Sequence, residues 1–190
     1  RSSGKMGCEL ALNFANKGAE VFLILGPSYE NPIHENIKLI RVESAEEMYN
    51  EALSLFENSN IVIAAAAVAD YKPVNKLLHK YKKESGTTKI ELQKTKDILA
   101  DMGAAKKNQF LVGFALETNN EIANAKSKLL EKNLDLVVLN SLNDEGACFE
   151  SKTNKVTIIS KDNKILRFEL KSKYEVANDI ANLILNEIDA

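Results

Sequence analysis

The sequence predicts an α/β domain: a mostly parallel sheet with helices on both faces, followed by a β-hairpin and a helix at the carboxyl end. Three observations carry that reading. Short apolar runs of strand length alternate with longer segments whose apolar residues recur at helical spacing. The runs at 20–25 and 110–115 lack polar alternation, as suits strands buried on both faces of a parallel sheet. Near the end, Val156 to Ile159 and Ile165 to Leu170 flank the polar turn Lys161-Asp-Asn-Lys164, the pattern of a hairpin. Strands alternating with helices make the arrangement Rossmann-like.

Length and composition agree with one globular domain. The chain has 190 residues, 45% hydrophobic and 27% charged, enough to bury a core. A net charge of −2 gives no overall basic field, so no nucleic-acid partner is expected. The two cysteines, Cys8 and Cys148, form no CxxC pair and no disulfide framework, which fits a reducing compartment. The longest apolar run, Ile61 to Ala69, is too short to span a bilayer. The expected location is cytoplasmic, with no membrane partner.

Taken in order, the elements begin with Arg1-Ser-Ser-Gly-Lys-Met-Gly7, a small glycine-bearing loop. It opens into a helix marked by Met6, Leu10 and Phe14 and stopped at Gly18. In α/β folds such a loop follows a strand, so the expectation is a single domain over 1–190 that lacks its first strand and the loop before Arg1. Glu20 to Leu25 reads as a strand ending in Gly26-Pro27, and Ile37 to Val42 as a second. Ser44 and Glu47 stand at capping-box spacing before a helix through Phe56. Asn60 to Ala69 is a third strand, Lys89 to Leu92 is extended, and Thr95 caps a helix from Lys96 to Ala105. Phe110 to Ala115 is a strand, Asn119 to Lys132 an amphipathic helix, and Leu134 to Leu139 a strand. The hairpin and a helix from Lys173 to Ile188 complete the chain. Open sheets bind ligands beyond the carboxyl ends of their strands, so the loops after Leu25, Ala69, Ala115 and Leu139 are where chemistry is expected.

Four segments there carry suitable residues. Ser3-Gly4-Lys5-Met6-Gly7 puts glycines and backbone N–H groups at a helix start, where phosphate is attracted. Its spacing is neither GxGxxG nor GxxxxGK[ST], and a plain helix-start loop is an equal reading. Ala64-Ala65-Ala66-Ala67 leaves room for a flat group beside the backbone, and Asp70 follows where an acid takes a ribose hydroxyl or a divalent cation. Lys80-Tyr81-Lys82-Lys83 suits a polyphosphate, although a solvated charge run is the commoner meaning of such a cluster. Gly113-Phe114-Ala115-Leu116-Glu117-Thr118 suits a base pocket, with Lys128 and Lys132 one turn apart downstream, and a core Phe114 with surface lysines is an equal reading. His34 and His79 have no partner at metal-ligand spacing, Cys148 has no neighbouring base, and no GxSxG elbow exists.

The order and spacing of these motifs are more distinctive than any one of them. Ser-Ser-Gly-Lys-Met-Gly at 2–7, Ala-Ala-Val-Ala-Asp-Tyr at 66–71 and Lys-x-Lys-Lys at 80–83 resemble phosphopantothenoylcysteine synthetase, that is, phosphopantothenate–cysteine ligase. Gly-Phe-Ala-x-Glu-Thr at 113–118 and Lys-Asn-Leu-Asp-Leu at 132–136 extend the match over nearly the whole chain. The resemblance implies a two-step ligase of coenzyme A biosynthesis. CTP activates the carboxylate of 4′-phosphopantothenate as an acyl-cytidylate with release of pyrophosphate, and L-cysteine then forms the amide with release of CMP. It implies CTP as co-substrate and Mg²⁺ as metal. It also implies a homodimer touching through the hairpin, and a fused amino-terminal decarboxylase partner that alone holds FMN.

Carried over by position, Gly4, Lys5 and Gly7 would line an anion site, and Ala64, Ala65 and Ala66 the nucleotide. Asp70, Asp97, Ile98, Phe114, Lys128 and Lys132 would contact CTP, with Asp70 and Asp97 as metal candidates. Lys80 would be catalytic, stabilising the phosphates as the acyl-cytidylate forms. Three departures stand out: Thr95-Lys96-Asp97-Ile98 replaces the family's Asn-Pro-Asp-Ile, Tyr81 replaces an aliphatic, and the asparagine before the family's Ser-Ser-Gly is not in this chain. The alternatives are a dinucleotide-dependent oxidoreductase, for which GxGxxG is lacking, and a non-catalytic nucleotide-binding regulatory domain.

Overall fold

The computed structural model describes residues 3–75, 89–141 and 153–189. In chain order the elements are α1 (Lys5–Asn16), β1 (Val21–Leu25), β2 (Ile37–Arg41), α2 (Ala45–Phe56), β3 (Ile61–Ala64), β4 (Tyr71–Pro73) and β5 (Leu92–Lys94). There follow α3 (Ile98–Ala105), β6 (Phe110–Glu117), α4 (Glu121–Glu131), β7 (Leu136–Ser141), β8 (Thr153–Asn154), β9 (Val156–Ser160), β10 (Ile165–Arg167), β11 (Lys171–Ser172) and α5 (Lys173–Ile188).

The main sheet has the order β10-β9-β7-β6-β3. Strands β3, β6 and β7 are parallel, and the β9–β10 hairpin joins antiparallel to β7. Alternation within these strands divides the core. Val112, Leu136, Val138 and Ile158 meet Leu10 and Phe14 of α1 and Val176, Ile180 and Ile184 of α5. Leu111, Val137, Leu139 and Ile159 point the other way, toward Ala52, Phe56, Leu99, Met102, Ala125 and Leu129 on α2, α3 and α4. Neighbours along a strand thus serve opposite layers, which is why the runs are apolar without interruption.

Several elements depart from expectation. The sheet is not continuous: β1 and β2 pair in parallel with each other, but β1 does not pair with β3. Strand β3 stops at Ala64, and 65–69 run on without ladder partners before β4 turns antiparallel onto β5. The hairpin is built into the sheet through β9 rather than appended, leaving β10 as its edge. Helix α3 begins at Ile98, capped by Asp97 and not by Thr95. The Thr95 hydroxyl instead donates to the Ala69 carbonyl at 2.7 Å, and its N–H donates to Asp70 O at 2.9 Å. A tertiary bond has taken the group that would have capped the helix.

Ser44 caps α2 by accepting the Glu47 N–H at 3.1 Å, while Glu47 reaches the N–H of Glu43 rather than that of Ser44. The reciprocal box is found at α5, where Ser172 Oγ accepts from Glu175 N–H at 3.2 Å and the Glu175 carboxylate accepts from Ser172 N–H at 3.0 Å. Helix α5 supplies five of the residues in the α1-side core, so its start matters to the whole fold. Replacing Ser172 by alanine is expected to lower stability by about 1 kcal/mol, read as a shifted urea midpoint at constant slope.

Candidate functional site

The carboxyl ends of the parallel strands collect the predicted residues in two places. The first lies at β1. Gly4 is the N-cap of α1 with φ 82°, a left-handed conformation that favours glycine and offers no capping side chain, while Ser3 Oγ accepts the Lys5 N–H at 3.4 Å. A Cβ at Gly4 would lie 2.9 Å from Leu25 Cδ1 and 3.1 Å from Ser28 Oγ, so the loop runs tight against the end of β1. The Ser28 hydroxyl donates to the Ser3 carbonyl at 2.6 Å and fixes it there. Helix α1 thus begins beside the end of β1, with Lys5 and Gly7 in its first turn.

The second place lies at β3 and β6. Ala64 is in register with Gly113, and the backbone continues through half-buried Ala65 to exposed Ala66 and Asp70. From the opposite side, Lys128 of α4 donates its Nζ to the Phe114 carbonyl at 2.6 Å. Phe114 itself is half-buried against the α1-side core. Lys132, at the end of α4, donates to Asp97 Oδ2 at 2.7 Å, and Asp97 Oδ1 accepts the Ala100 N–H at 3.0 Å, with Ile98 as first residue of α3.

Electrostatics tie this second group together. Burial pushes the Lys128 ammonium below the ordinary lysine range and the charge of Lys132 adds to it, while Glu117, Asp97 and Asp70 oppose. Burial alone would raise the Asp97 carboxyl. The hydrogen bonds from Lys132 and from Ala100 N–H, with the charges of both lysines, outweigh it and hold Asp97 below the usual carboxylate range. Asp70, Asp97, Glu117, Lys128 and Lys132 therefore share one electrostatic neighbourhood at the strand ends.

Lys80 and the rest of the lysine motif, together with His79 and Cys148, lie outside the described residues. Among the described residues, no group of three or more His, Cys, Asp or Glu side chains is placed to hold a metal ion. The structure also adds two residues. Thr95 pins the 69–70 backbone, and Glu117 accepts from Asn124 Nδ2 at 2.8 Å beside Lys128. Glu117 stands inside the quoted Gly113–Thr118 motif, so a signal existed; Thr95 is recognisable only from its tertiary bonds. No helix of the described residues is long and apolar enough to cross a membrane.

The chain is similar to several known proteins. The family model described as the DNA/pantothenate metabolism flavoprotein C-terminal domain matches residues 1–188. A protein named cysteine/cysteine sulfinic acid decarboxylase, from an unknown prokaryotic organism, is 52% identical over 185 residues, covering 97% of this chain and 52% of that protein. The coenzyme A biosynthesis bifunctional protein CoaBC of Bacillus subtilis (strain 168) is 43% identical over 180 residues, covering 95% of this chain and 44% of that protein. The crystal structure of the C-terminal domain of a CoaBC protein superposes with a TM-score of 0.82 at 36% identity, covering 100% of this chain and 85% of that one. The chain spans about half the length of the curated relatives it matches.

Proposed function

The chain belongs to the family described as the DNA/pantothenate metabolism flavoprotein C-terminal domain, and from that premise we propose that it is a CTP-dependent phosphopantothenate–cysteine ligase of coenzyme A biosynthesis. The observation that carries the reading is the grouping of Lys128 and Lys132 with Asp97 and Asp70 at the ends of β3 and β6, beside Ala64. A polyphosphate fits that set: cations for the phosphates and small residues for close backbone approach. The Phe114 ring faces the α1-side core, so its carbonyl, held by Lys128, is what meets this group. Among the quoted motifs there is no nucleophile–base pair, and the chemistry does not require one.

In the first step a carboxylate oxygen of 4′-phosphopantothenate attacks the α-phosphorus of CTP. The bond from that phosphorus to the bridging oxygen breaks, and pyrophosphate leaves with the electron pair. The second step begins when the amine of L-cysteine attacks the acyl carbon; CMP departs and the amine proton passes to solvent. Lysines are needed because negative charge builds on the phosphate oxygens during in-line displacement. Lys80 is assigned to that task, Lys128 and Lys132 to holding the nucleotide, and Gly4, Lys5 and Gly7 to a second anionic group. A bound Mg²⁺ would neutralise phosphate oxygens. The donor set fits an ion carried mostly by the phosphates with the exposed Asp70 carboxylate as protein contribution, since no three-residue acidic cluster is described.

The reading includes a parallel strand in the space between β1 and β3, in line with the split of the sheet there. It also includes a homodimer and a fused decarboxylase holding FMN. Among the described residues, β10 is the edge strand of the hairpin and is the candidate for such a dimer contact.

The test is pyrophosphate release from CTP by the full-length protein, made dependent on 4′-phosphopantothenate. Absence of that release would overturn the assignment. In the same assay Lys80→Gln is expected to slow acyl-cytidylate formation by about 10²-fold, comparable to loss of one charge-stabilising donor. Full activity in that variant would remove Lys80 from the mechanism.

A further inference from the structure

The candidate site contains a repulsion that something must offset. Lys128 and Lys132 occupy one face of α4, a turn apart. Lys128 is already disfavoured by burial, and the second ammonium disfavours it further. Asp97 pairs with Lys132 and feels the charge of Lys128. Its Oδ2 accepts from Lys132 Nζ at 2.7 Å, and the charge of Lys128 acts on it as well. Its Oδ1 accepts the Ala100 N–H at 3.0 Å, which ties the carboxylate to the start of α3. The carboxylate cannot swing toward another ligand without uncapping that helix or releasing Lys132.

We propose that Asp97 is a positioning residue, a counter-ion fixed by its own helix cap that holds Lys132 and lets two ammonium groups converge on a polyphosphate. On this assignment Asp97 is not a metal ligand: its charge is committed to Lys132 and its orientation to the α3 cap. The inference rests on the ligase reading above and gives one of its acidic residues a different task. A cation at Asp97 would have to displace Lys132 from its hydrogen bond and leave that ammonium without its counter-ion. The Asp97 side chain is 51% exposed, so solvent screens the pair, and its effect is several-fold rather than a hundredfold.

The experiment is calorimetric titration of CTP into the full-length protein in EDTA, without metal, and again with Mg²⁺. Four forms are compared: wild type, Asp97→Asn, Lys132→Met and the double variant. Asparagine keeps an oxygen for the α3 cap but no charge for Lys132. The expected result is metal-free CTP binding weakened about three- to tenfold by Asp97→Asn, with no further loss when it is added to Lys132→Met. Binding that is unchanged in EDTA but weaker with Mg²⁺ would make Asp97 a metal ligand and overturn the proposal. Tighter binding would overturn it too, as would a full additional loss in the Lys132→Met background. If wild type binds CTP only with Mg²⁺, the lysine pair does not act as proposed. If wild type binds no CTP under either condition, the ligase reading itself fails. Thermal unfolding of each form is recorded alongside. Should Asp97→Asn melt below the titration temperature, Asp97→Ser, which also caps helices, replaces it.

Discussion

Replacing Gly103 by alanine is expected to cost the fold about 3 kcal/mol or more, although the change adds a single methyl group inside a helix. In an ordinary helix the same change would stabilise by up to about 1 kcal/mol. The sign reverses here because of what Gly103 touches. A Cβ at this position would lie 2.0 Å from the Lys132 carbonyl oxygen and 2.8 Å from its carbon. Those atoms are backbone at the end of α4 and cannot turn aside as a flexible side chain would. The contact is also fastened: Asn133, itself left-handed at φ 49°, donates its Nδ2 to the Gly103 carbonyl at 3.0 Å. The methyl must therefore push α3 away from α4, opening the core between Leu99, Met102 and Leu129. For a domain of this size the melting temperature should fall by roughly 6–12 °C. Gly7→Ala is the control, since a Cβ there meets nothing within 4 Å; its stability should hold or rise slightly. The displacement should reach the site as well, because α3 carries Asp97 and the end of α4 carries Lys132.

That single contact illustrates how much of the molecule was legible before its structure. The alternation of strands and helices was, because burial on both sheet faces makes strands continuously apolar, and helical spacing marks the covering layers. Lys128 and Lys132 were legible as a pair, since four residues along a helix fix a shared face. Their partner was not. Asp97 lies 35 positions from Lys132, and nothing local distinguishes it from Thr95 as a helix cap. Only the bonds from Thr95 to Ala69 and Asp70 decide between them. The early end of β3 had the same origin: alanines at 64–67 are compatible with a strand, but a strand persists only where a neighbour pairs with it. The position of the break between β1 and β3 was not legible, because both runs are apolar and both are covered by helices. The capping box of α5 was within reach, since Ser172 and Glu175 stand at its spacing. Periodicity reports what each segment buries, and the remaining uncertainty lies in which distant group it meets.

Asp135→Asn should destabilise by about 3–5 kcal/mol while leaving ligand binding by any surviving folded protein unchanged. The carboxylate precedes β7, at the end of the sheet away from the candidate site, and its side chain is 6% exposed. It accepts from Lys106 Nζ at 2.6 Å, from Leu111 N–H at 2.8 Å and from Lys161 Nζ at 3.1 Å. The two lysines are not equivalent. Lys106 is 13% exposed and would be left as a buried, uncompensated charge, whereas Lys161 is 60% exposed and can return to solvent. Lys161→Met is therefore expected to cost under about 1 kcal/mol. Burial alone would raise the Asp135 carboxyl, but the bonds from Lys106, Leu111 N–H and Lys161 prevail and hold it below the usual range. A carboxyl depressed in the folded state contributes stability that is complete above its unfolded value of about 4 and is lost as pH falls through the lower folded value. Urea unfolding of wild type and Asp135→Asn should thus differ most near neutral pH and draw together as pH falls from about 4 through the depressed folded value. Equal stability of the two proteins at neutral pH would show that Lys106 finds another partner and that Asp135 is not the hinge of this charge cluster.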